Sequence, residues 1–228
     1  MIKQLGAYLL VFVYALAQPL YADPSATFLG ASTTALEHPH DIKLSPDGTL
    51  LYVSDVGNNR VVILDAETLE FKKQFGSNEQ AGTHDVDIGP DQRLYVADTH
   101  NNRVLIYSEQ DETFSVEGEL SEGIRGPEGV LVHPNGNVYV AGAWSNNVVS
   151  YRAGKKVSVL ADLSSPHDLE LAPDGSIWLA DAGNDRMLLL SEDLAILKEL
   201  SGGPYNFDGV RYQDVLPDGT LIAADKYS

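Results

Sequence analysis

The chain has 228 residues, and its 33 acidic against 15 basic residues give a formal net charge of −18 at pH 7. No basic face can be found in so acidic a sequence, so we expect no nucleic-acid partner. Cysteine is absent, which excludes disulfides, thiolate zinc sites and a cysteine nucleophile. The acidity favours cations or basic peptides as partners, or it serves only to keep the protein soluble.

The first 22 residues are typical of a secretory signal. Lys3 supplies a positive charge near the start, and residues 5–17 form an apolar run of 13 residues. We therefore predict a signal peptide at 1–22, cleaved after Ala17 or Ala22. Thirteen residues are few for a membrane span, so an uncleaved anchor is the alternative and no span is expected after cleavage. The mature protein, residues 23–228, should be periplasmic or secreted, and its lack of cysteine fits a bacterial product.

A short phrase recurs along the rest of the chain. Residues 53–61 (VSDVGNNRV) return at 96–104 and 179–187, in weakened form at 140–148, and as the beginning of a fifth copy at 223–228. The equivalent positions 55, 98, 142, 181 and 225 are 43, 44, 39 and 44 residues apart. A period near forty indicates a radial or solenoid array. The repeats cover 38–81, 82–125, 126–164, 165–204 and an incomplete 205–228.

Each repeat predicts four short strands. Apolar and polar residues alternate over 40–45, and Pro46-Asp47-Gly48 is a tight-turn signal that precedes a second strand at 51–53. Asn58-Asn59 tolerates left-handed backbone and makes the next turn. Residues 61–64 and 71–75 then form a third and a fourth strand. Four antiparallel strands per repeat, without a long helix, are typical of one β-propeller blade.

This pattern of Asp-Gly, Tyr-Val-x-Asp and Asn-x-Arg-Val resembles the NHL repeat. The resemblance covers residues 38–228 and implies an all-β, NHL-type propeller of four-stranded antiparallel blades, six-bladed in the full protein. At about 43 residues a blade, about four and a half blades are present, so we expect part of the ring to be missing. A complete five-bladed ring is the alternative. We also expect a monomer.

The recurrent acidic and basic residues of the phrase are interpreted as structural, because residues that return in nearly every blade are more simply explained by the fold than by catalysis. A carboxylate at a strand end can accept hydrogen bonds from turn N–H groups, and an arginine can pair with it. The third repeat lacks both, with Gly142 and Val148 in their places. The residues concerned are Asp55, Arg60, Asp98, Arg103, Asp181 and Arg186.

Three of the six histidines share one position. His40, His84 and His167 begin the first strand of their repeats, and Glu128 and Arg211 take that place in repeats three and five. If the first strand starts on one face, the second must end on it, so the following loops lie there too. One mouth of the central channel should therefore bind a peptide, glycan or protein ligand. Its predicted ligand face comprises Glu128, Trp144, His100 and Tyr227, beside the three histidines.

Other polar residues are less informative. We expect His38, His100 and His133 in solvated loops. Asp87 and Glu170 alternate with core positions, so they either line the channel or face solvent, and the sequence does not decide which.

Three imidazoles converging on a channel can hold zinc with an open fourth position. The segments 39–42 and 166–169 resemble the metal-binding segments of the peptidyl-α-hydroxyglycine α-amidating lyases. That resemblance implies zinc at His40, His84 and His167, and calcium in the channel at Asp41, with Asp85 or Asp168 as further candidates. Arg211 and Tyr212 are candidates for the essential arginine and tyrosine of that family, although they match no diagnostic motif. In those lyases the histidine-bearing blades alternate, whereas here they are the first, second and fourth.

Three functional hypotheses therefore stand side by side. The chain is an exported binding module, a zinc-dependent carbon–nitrogen lyase of the amidating type, or a fragment without activity of its own. A purely structural interpretation of Pro-His-Asp also remains open, with the aspartate capping a turn and the histidine packing beside its neighbour.

Overall fold

Five antiparallel sheets follow one another along the chain. The computed structural model describes Phe28 and residues 30–226, so the predicted signal peptide and Tyr227 lie outside the described residues. The unit that contains these sheets begins at Ala31. Its first two sheets contain β1 (Pro39–Leu44), β2 (Leu50–Asp55), β3 (Arg60–Asp65) and β4 (Phe71–Phe75), then β5 (Thr83–Ile88), β6 (Leu94–Asp98), β7 (Arg103–Gln110) and β8 (Thr113–Leu120).

The next sheets repeat this order. They contain β9 (Pro127–Val132), β10 (Asn137–Gly142), β11 (Asn147–Arg152) and β12 (Lys155–Leu160), then β13 (Pro166–Leu171), β14 (Ile177–Asp181), β15 (Arg186–Leu190) and β16 (Ile196–Ser201). A fifth sheet pairs β17 (Val210–Val215) with β18 (Leu221–Asp225). Single-turn 3-10 helices follow β2, β6 and β14. Among the described residues, no helix has the length and apolarity needed to cross a membrane.

The first strands of neighbouring sheets contact one another in the order β1, β5, β9, β13, β17. These strands are therefore innermost and line a central channel, and the sheets are the blades of a β-propeller. Apolar side chains fill the space between successive blades: buried Tyr139 of the third blade, for example, shares a cluster with Ile177 and Leu188 of the fourth. The predicted all-β propeller of four-stranded blades is confirmed, with four complete blades and a two-stranded fifth among the described residues.

The recurrent aspartate organises the turn at the end of each second strand. Asp98 is fully buried, and its carboxylate accepts hydrogen bonds from Ala81 N at 2.6 Å, Asn101 Nδ2 at 2.9 Å and Arg103 Nε at 2.8 Å. Asp55 and Asp181 make the same three kinds of contact in blades one and four. Each carboxylate is thus occupied by its own turn and by the segment that leads into its blade, as a structural role requires.

The second residue of the Asn-Asn turn joins neighbouring blades. Asn102 has a left-handed backbone, with a φ of 57°, and its Oδ1 accepts a hydrogen bond from Gly126 N of the next blade at 2.9 Å. The equivalent contacts follow blades one, three and four, from Gly82 N to Asn59, from Ser165 N to Asn146 and from Gly209 N to Asp185. The turn was predicted from the sequence, but this contact between blades was not.

The third blade replaces the aspartate and arginine with a shorter pair. Gly142 lies opposite Asn147, so Asn147 and not Val148 stands in the arginine position. Ser145 Oγ accepts from Arg125 N at 2.9 Å and contacts Asn147 Oδ1 at 2.7 Å. A Cβ on Gly142 would overlap Ser145 Oγ, so the serine hydroxyl takes the place of the missing carboxylate.

The prediction that His133 is solvated was wrong. Its side chain is only 4 % exposed, and Nδ1 accepts a hydrogen bond from Asn135 N at 3.1 Å. The proton of the neutral ring therefore lies on Nε2, which donates to Gly175 O of the fourth blade at 3.0 Å. His133 thus connects two blades at the end of the channel opposite the other histidines.

Candidate functional site

An irregularity in the innermost strands turns two successive side chains into the channel. In blade one, Pro39 pairs with Asp55 and Ile42 with Val53, so two residues of β1 lie opposite one residue of β2. The same shift occurs in β5 and β13. A bulge of this kind interrupts strict alternation. It explains why each His-Asp pair, such as His40 and Asp41, contributes both of its side chains to the channel.

Side chains from all five blades meet at one end of the channel, which we call the mouth and define by His40, His84, Glu128, His167 and Tyr212. The rings of His40 and His84 lie 4.2 Å apart between centroids, and those of His40 and Tyr212 lie 5.3 Å apart. His167 Nε2 is 2.9 Å from Glu128 Oε2. The fold therefore brings these residues together, as the alignment of the repeats predicted, although they are distant in sequence.

Among the described residues, the donor group that could hold a metal ion consists of His40, His84 and Glu128, whose ligand atoms all lie within 4.8 Å of one another. The predicted third imidazole, His167, is not part of this group. Its Nδ1 lies 2.7 Å from Ser165 O and its Nε2 contacts the Glu128 carboxylate. Both partners offer hydrogen-bond acceptors, so both ring nitrogens are engaged. His167 therefore orients Glu128.

The surroundings of His84 fix its tautomer. Thr99 Oγ1 donates to Pro127 O at 2.6 Å, so the hydroxyl oxygen accepts from His84 Nδ1 at 2.8 Å. Gly82 O lies 3.0 Å from the same nitrogen. The proton is thus on Nδ1, and Nε2 keeps its lone pair. This arrangement is the usual one for a histidine that binds a metal.

The protonation states of the three donors suit a divalent metal. Burial, followed by the positive charge that His84 would carry, lowers the pKa of His40 to about 4. Burial also lowers the pKa of His84. Burial alone would raise the pKa of Glu128, but the hydrogen bond from His167 and the electrostatic attraction of that imidazole outweigh it and lower that pKa. Two neutral imidazoles and one carboxylate form a donor set that zinc takes, and the residues fit the ion.

Of the two candidates for catalysis, Tyr212 lies beside this group. The Tyr212 hydroxyl is 2.8 Å from His40 Nε2 and 3.1 Å from His40 Nδ1. Burial raises the pKa of Tyr212, which keeps its hydroxyl protonated. Arg211 is its chain neighbour, and the buried Arg211 Nε has no hydrogen-bond partner among the described residues.

Below the mouth lie the aspartates implied for calcium. Asp85 accepts a hydrogen bond from Val130 N at 2.6 Å. Burial, then the charge of Asp41 and a hydrogen bond with it, raises the pKa of Asp85 well above its usual value. The raised pKa keeps Asp85 protonated, and its carboxyl group is hydrogen-bonded to that of Asp41. Asp168 accepts from Gln213 N at 2.9 Å, and burial together with the charges of Glu170 and Asp41 raises its pKa. A cation bound by Asp41 and Asp85 would have to displace the proton of Asp85.

A third layer of channel side chains lies below these aspartates and contains Asp87 and Glu170. The sequence left open whether these two residues line the channel or face solvent. Asp87 is buried, contacts Lys43 Nζ at 3.1 Å and accepts from Val132 N at 2.7 Å. Burial raises the pKa of Glu170 to about 7, with Lys43 opposing the shift and Asp87, Asp214 and Asp41 adding to it. Both side chains belong to the channel.

His100 and Trp144 lie at the rim of the mouth. Their rings are stacked, with centroids 5.8 Å apart and planes 20° apart, and the His100 ring is 6.3 Å from that of His84. The Trp144 side chain is 46 % exposed. Sequence reasoning placed these two residues and Glu128 on the ligand face. It did not identify Glu128 as a metal donor or Thr99 as the group that supports His84, since the relevant contacts join different blades or distant parts of one blade.

Comparisons with known proteins agree on the architecture. The model of the NHL repeat matches residues 84–107. No curated protein matches the sequence. Hydrazine synthase from Kuenenia stuttgartiensis superposes with a TM-score of 0.68 at 21% identity, over 87% of this chain and 58% of that chain. This chain thus spans less than two thirds of that structure.

Two lyases have similar folds. Streptogramin B lyase gives a TM-score of 0.66 at 14% identity, over 86% of this chain and 71% of its own. Virginiamycin B lyase from Staphylococcus aureus gives 0.66 at 15% identity, over 82% and 63%. At these identities the likeness concerns the fold alone. The chain is a β-propeller that carries an NHL repeat in its second blade.

Proposed function

We propose that this protein is an exported binding module that takes a ligand at the mouth of its channel through a divalent metal ion, zinc by its donor chemistry. The observation that supports the proposal most directly is the convergence of His40, His84 and Glu128 from three blades, with ligand atoms within 4.8 Å of one another. Their neighbours leave both imidazoles neutral and the carboxylate charged. A small molecule, a peptide, a glycan or a protein loop could supply the remaining donor.

Export is proposed on the sequence of residues 1–22 alone. A positive charge followed by 13 apolar residues is the pattern of a cleaved signal. A periplasmic or secreted location is also consistent with the lack of cysteine in a protein whose blades are joined by hydrogen bonds and apolar packing.

A zinc-dependent lyase is the second candidate, and the position of Tyr212 favours it. Its hydroxyl lies 2.8 Å from His40 Nε2, beside the donor group, and its raised pKa suits a residue that holds a proton until it donates it as a general acid. Zinc, when bound, would polarise a substrate oxygen. Two of the solved structures with this fold are lyases by name.

Calorimetric titration of zinc into the metal-free exported chain tests the proposal. We expect about one zinc ion per chain, and an affinity reduced by more than about 100-fold in H40A, H84A and E128Q, because each removes one donor. His38→Asn is the matched control, since His38 is exposed and Asn tolerates its positive φ of 51°.

The outcome separates the candidates. Zinc binding that survives in all three donor variants, or that is lost in H38N, would overturn the metal site. If zinc binds as expected, turnover of α-hydroxyglycine peptides that is lost in Y212F would favour the lyase. The absence of turnover would leave the binding module.

A further inference from the structure

The two aromatic residues of the rim occupy equivalent positions in neighbouring blades. His100 N donates to Ala81 O at 3.0 Å, and Trp144 N donates to Arg125 O at 3.1 Å. In blades one and four the same position is Gly57 or Gly183, where an added Cβ would come within 3.0 Å of Glu37 or Ser164. The second and third blades therefore have room for a ring that these two blades lack.

Each of the two rings lies over a glycine. Gly82 and Gly126 have positive φ values of 71° and 54°. A Cβ on Gly82 would lie 3.0 Å from the His100 ring, and one on Gly126 would overlap the Trp144 indole. The N–H groups of these glycines are held by Asn59 and Asn102. The rings thus rest on backbone that is fixed by hydrogen bonds between blades. We call His100 and Trp144 together the shelf.

The shelf presents aromatic surface to solvent next to the donor group. Trp144 is 46 % exposed, whereas Trp178, the other tryptophan, is 8 % exposed and packs in the core. The ring of His84, one of the three metal donors, lies beside the shelf, at 6.3 Å from that of His100 and 4.2 Å from that of His40. A ligand of the size of one aromatic ring with a short donor arm would reach both.

We propose that the shelf is a stacking subsite for a planar aromatic group of a small-molecule ligand whose oxygen donors bind the metal held by His40, His84 and Glu128. The subsite deepens the proposed function and rests on it for the position of the donor atoms. Planar groups are favoured because a stacked ring gains contact over a whole face, and an imidazole and an indole offer such a face.

Two hydroxamic acids test this directly. Benzohydroxamic acid and cyclohexanecarbohydroxamic acid carry the same metal-binding group and the same number of ring carbons, and they differ in planarity. We expect the zinc-loaded protein to bind the benzo compound about 3- to 10-fold more tightly. Trp144→Leu should abolish this preference while leaving zinc affinity unchanged, because leucine keeps apolar volume without a flat face.

Equal affinities for the two compounds, or a preference that persists in W144L, would overturn the subsite. Failure of zinc to bind would instead refute the proposed function, and stacking on the shelf would then be tested in metal-free protein by fluorescence. Quenching of tryptophan fluorescence by millimolar benzohydroxamic acid in the wild type but not in W144L supports stacking on Trp144. The same response in both proteins would contradict it.

Discussion

Each donor at the mouth is held by a neighbour that controls its proton. Thr99 and Gly82 keep the His84 proton on Nδ1, and His167 donates to Glu128. The third donor, His40, contacts the hydroxyl of Tyr212. The chemistry of the site therefore depends on the side chains around the donors, several of them from other blades, and a change in any supporting residue should act through the donor that it holds.

Deeper in the channel, Glu170 should make stability depend on pH. Its pKa of about 7 in the folded protein exceeds the ordinary value of 4.5. The folded state therefore binds its proton more tightly than the unfolded state does. The resulting stabilisation is fully present below pH 4.5 and is lost as pH rises through 7. The loss between pH 5 and pH 8 should reach at most about 3 kcal/mol. The Glu170→Gln variant should lack this pH-dependent part of the free energy of unfolding.

Urea denaturation of both proteins at pH 5, 6, 7 and 8 measures the difference. Asp85 also has a raised pKa, to which Glu170 does not contribute. The charge of Glu170 does contribute to the raised pKa of Asp168, so the difference between the two curves reports Glu170 together with its effect on Asp168. Parallel curves for wild type and E170Q would show that Glu170 does not titrate in this range.

At the scale of the blade, periodicity and turn chemistry were enough to predict the elements. Alternation over 40–45 and the Pro-Asp-Gly turn predicted β1 and β2, and the shared position of three histidines predicted a common mouth. The bulges in β1, β5 and β13 were not predicted, since a local sequence pattern does not show where two residues of one strand lie opposite a single residue of its partner. The pairing of His167 with Glu128 and the burial of His133 depend on distances between blades, which repeat spacing alone does not give.

The turn after each second strand should contribute to stability through the next blade. Asn102→Gly removes the hydrogen bond from Gly126 N but allows the left-handed φ of 57°, so we expect a loss of about 1 kcal/mol. Asn102→Ala removes the bond and adds the cost of a left-handed backbone for a residue with a Cβ, about 1–2 kcal/mol more. Urea denaturation at constant pH measures both.

Substitution of Asn101 provides the matched comparison, because the Asn101 side chain donates to Asp98 of its own blade and not to the next blade. Equal stability of N102G and wild type would show that the contact between blades contributes nothing. Equal losses in N102G and N102A would show that the backbone conformation carries no cost.

For the whole molecule, the channel is the place where the excess negative charge becomes buried. Inner strands of blades one, two and four bring Asp41, Asp85 and Asp168 together beneath the mouth, with Lys43 one layer further in. Isolated carboxylates would be costly there. Hydrogen bonds from the backbone of the next blade and the hydrogen bond between the Asp85 and Asp41 carboxyl groups reduce that cost. The propeller therefore uses these carboxyl groups as hydrogen-bond acceptors more than as charges.

Substitutions of Asp85 separate these two roles. The side-chain amide of the D85N variant would accept from Val130 N through its oxygen and donate to Asp41 through its nitrogen, as the protonated carboxyl does. D85N should therefore be at least as stable as wild type at pH 7. Asp85→Ala leaves Val130 N without its acceptor and should cost about 1–3 kcal/mol. Urea denaturation with EDTA present measures both. A loss in D85N as large as that in D85A would show that the charge itself is needed. In that case calcium should raise the melting temperature of the wild type but not of D85N, because an ionised Asp85 could bind the ion and an amide could not.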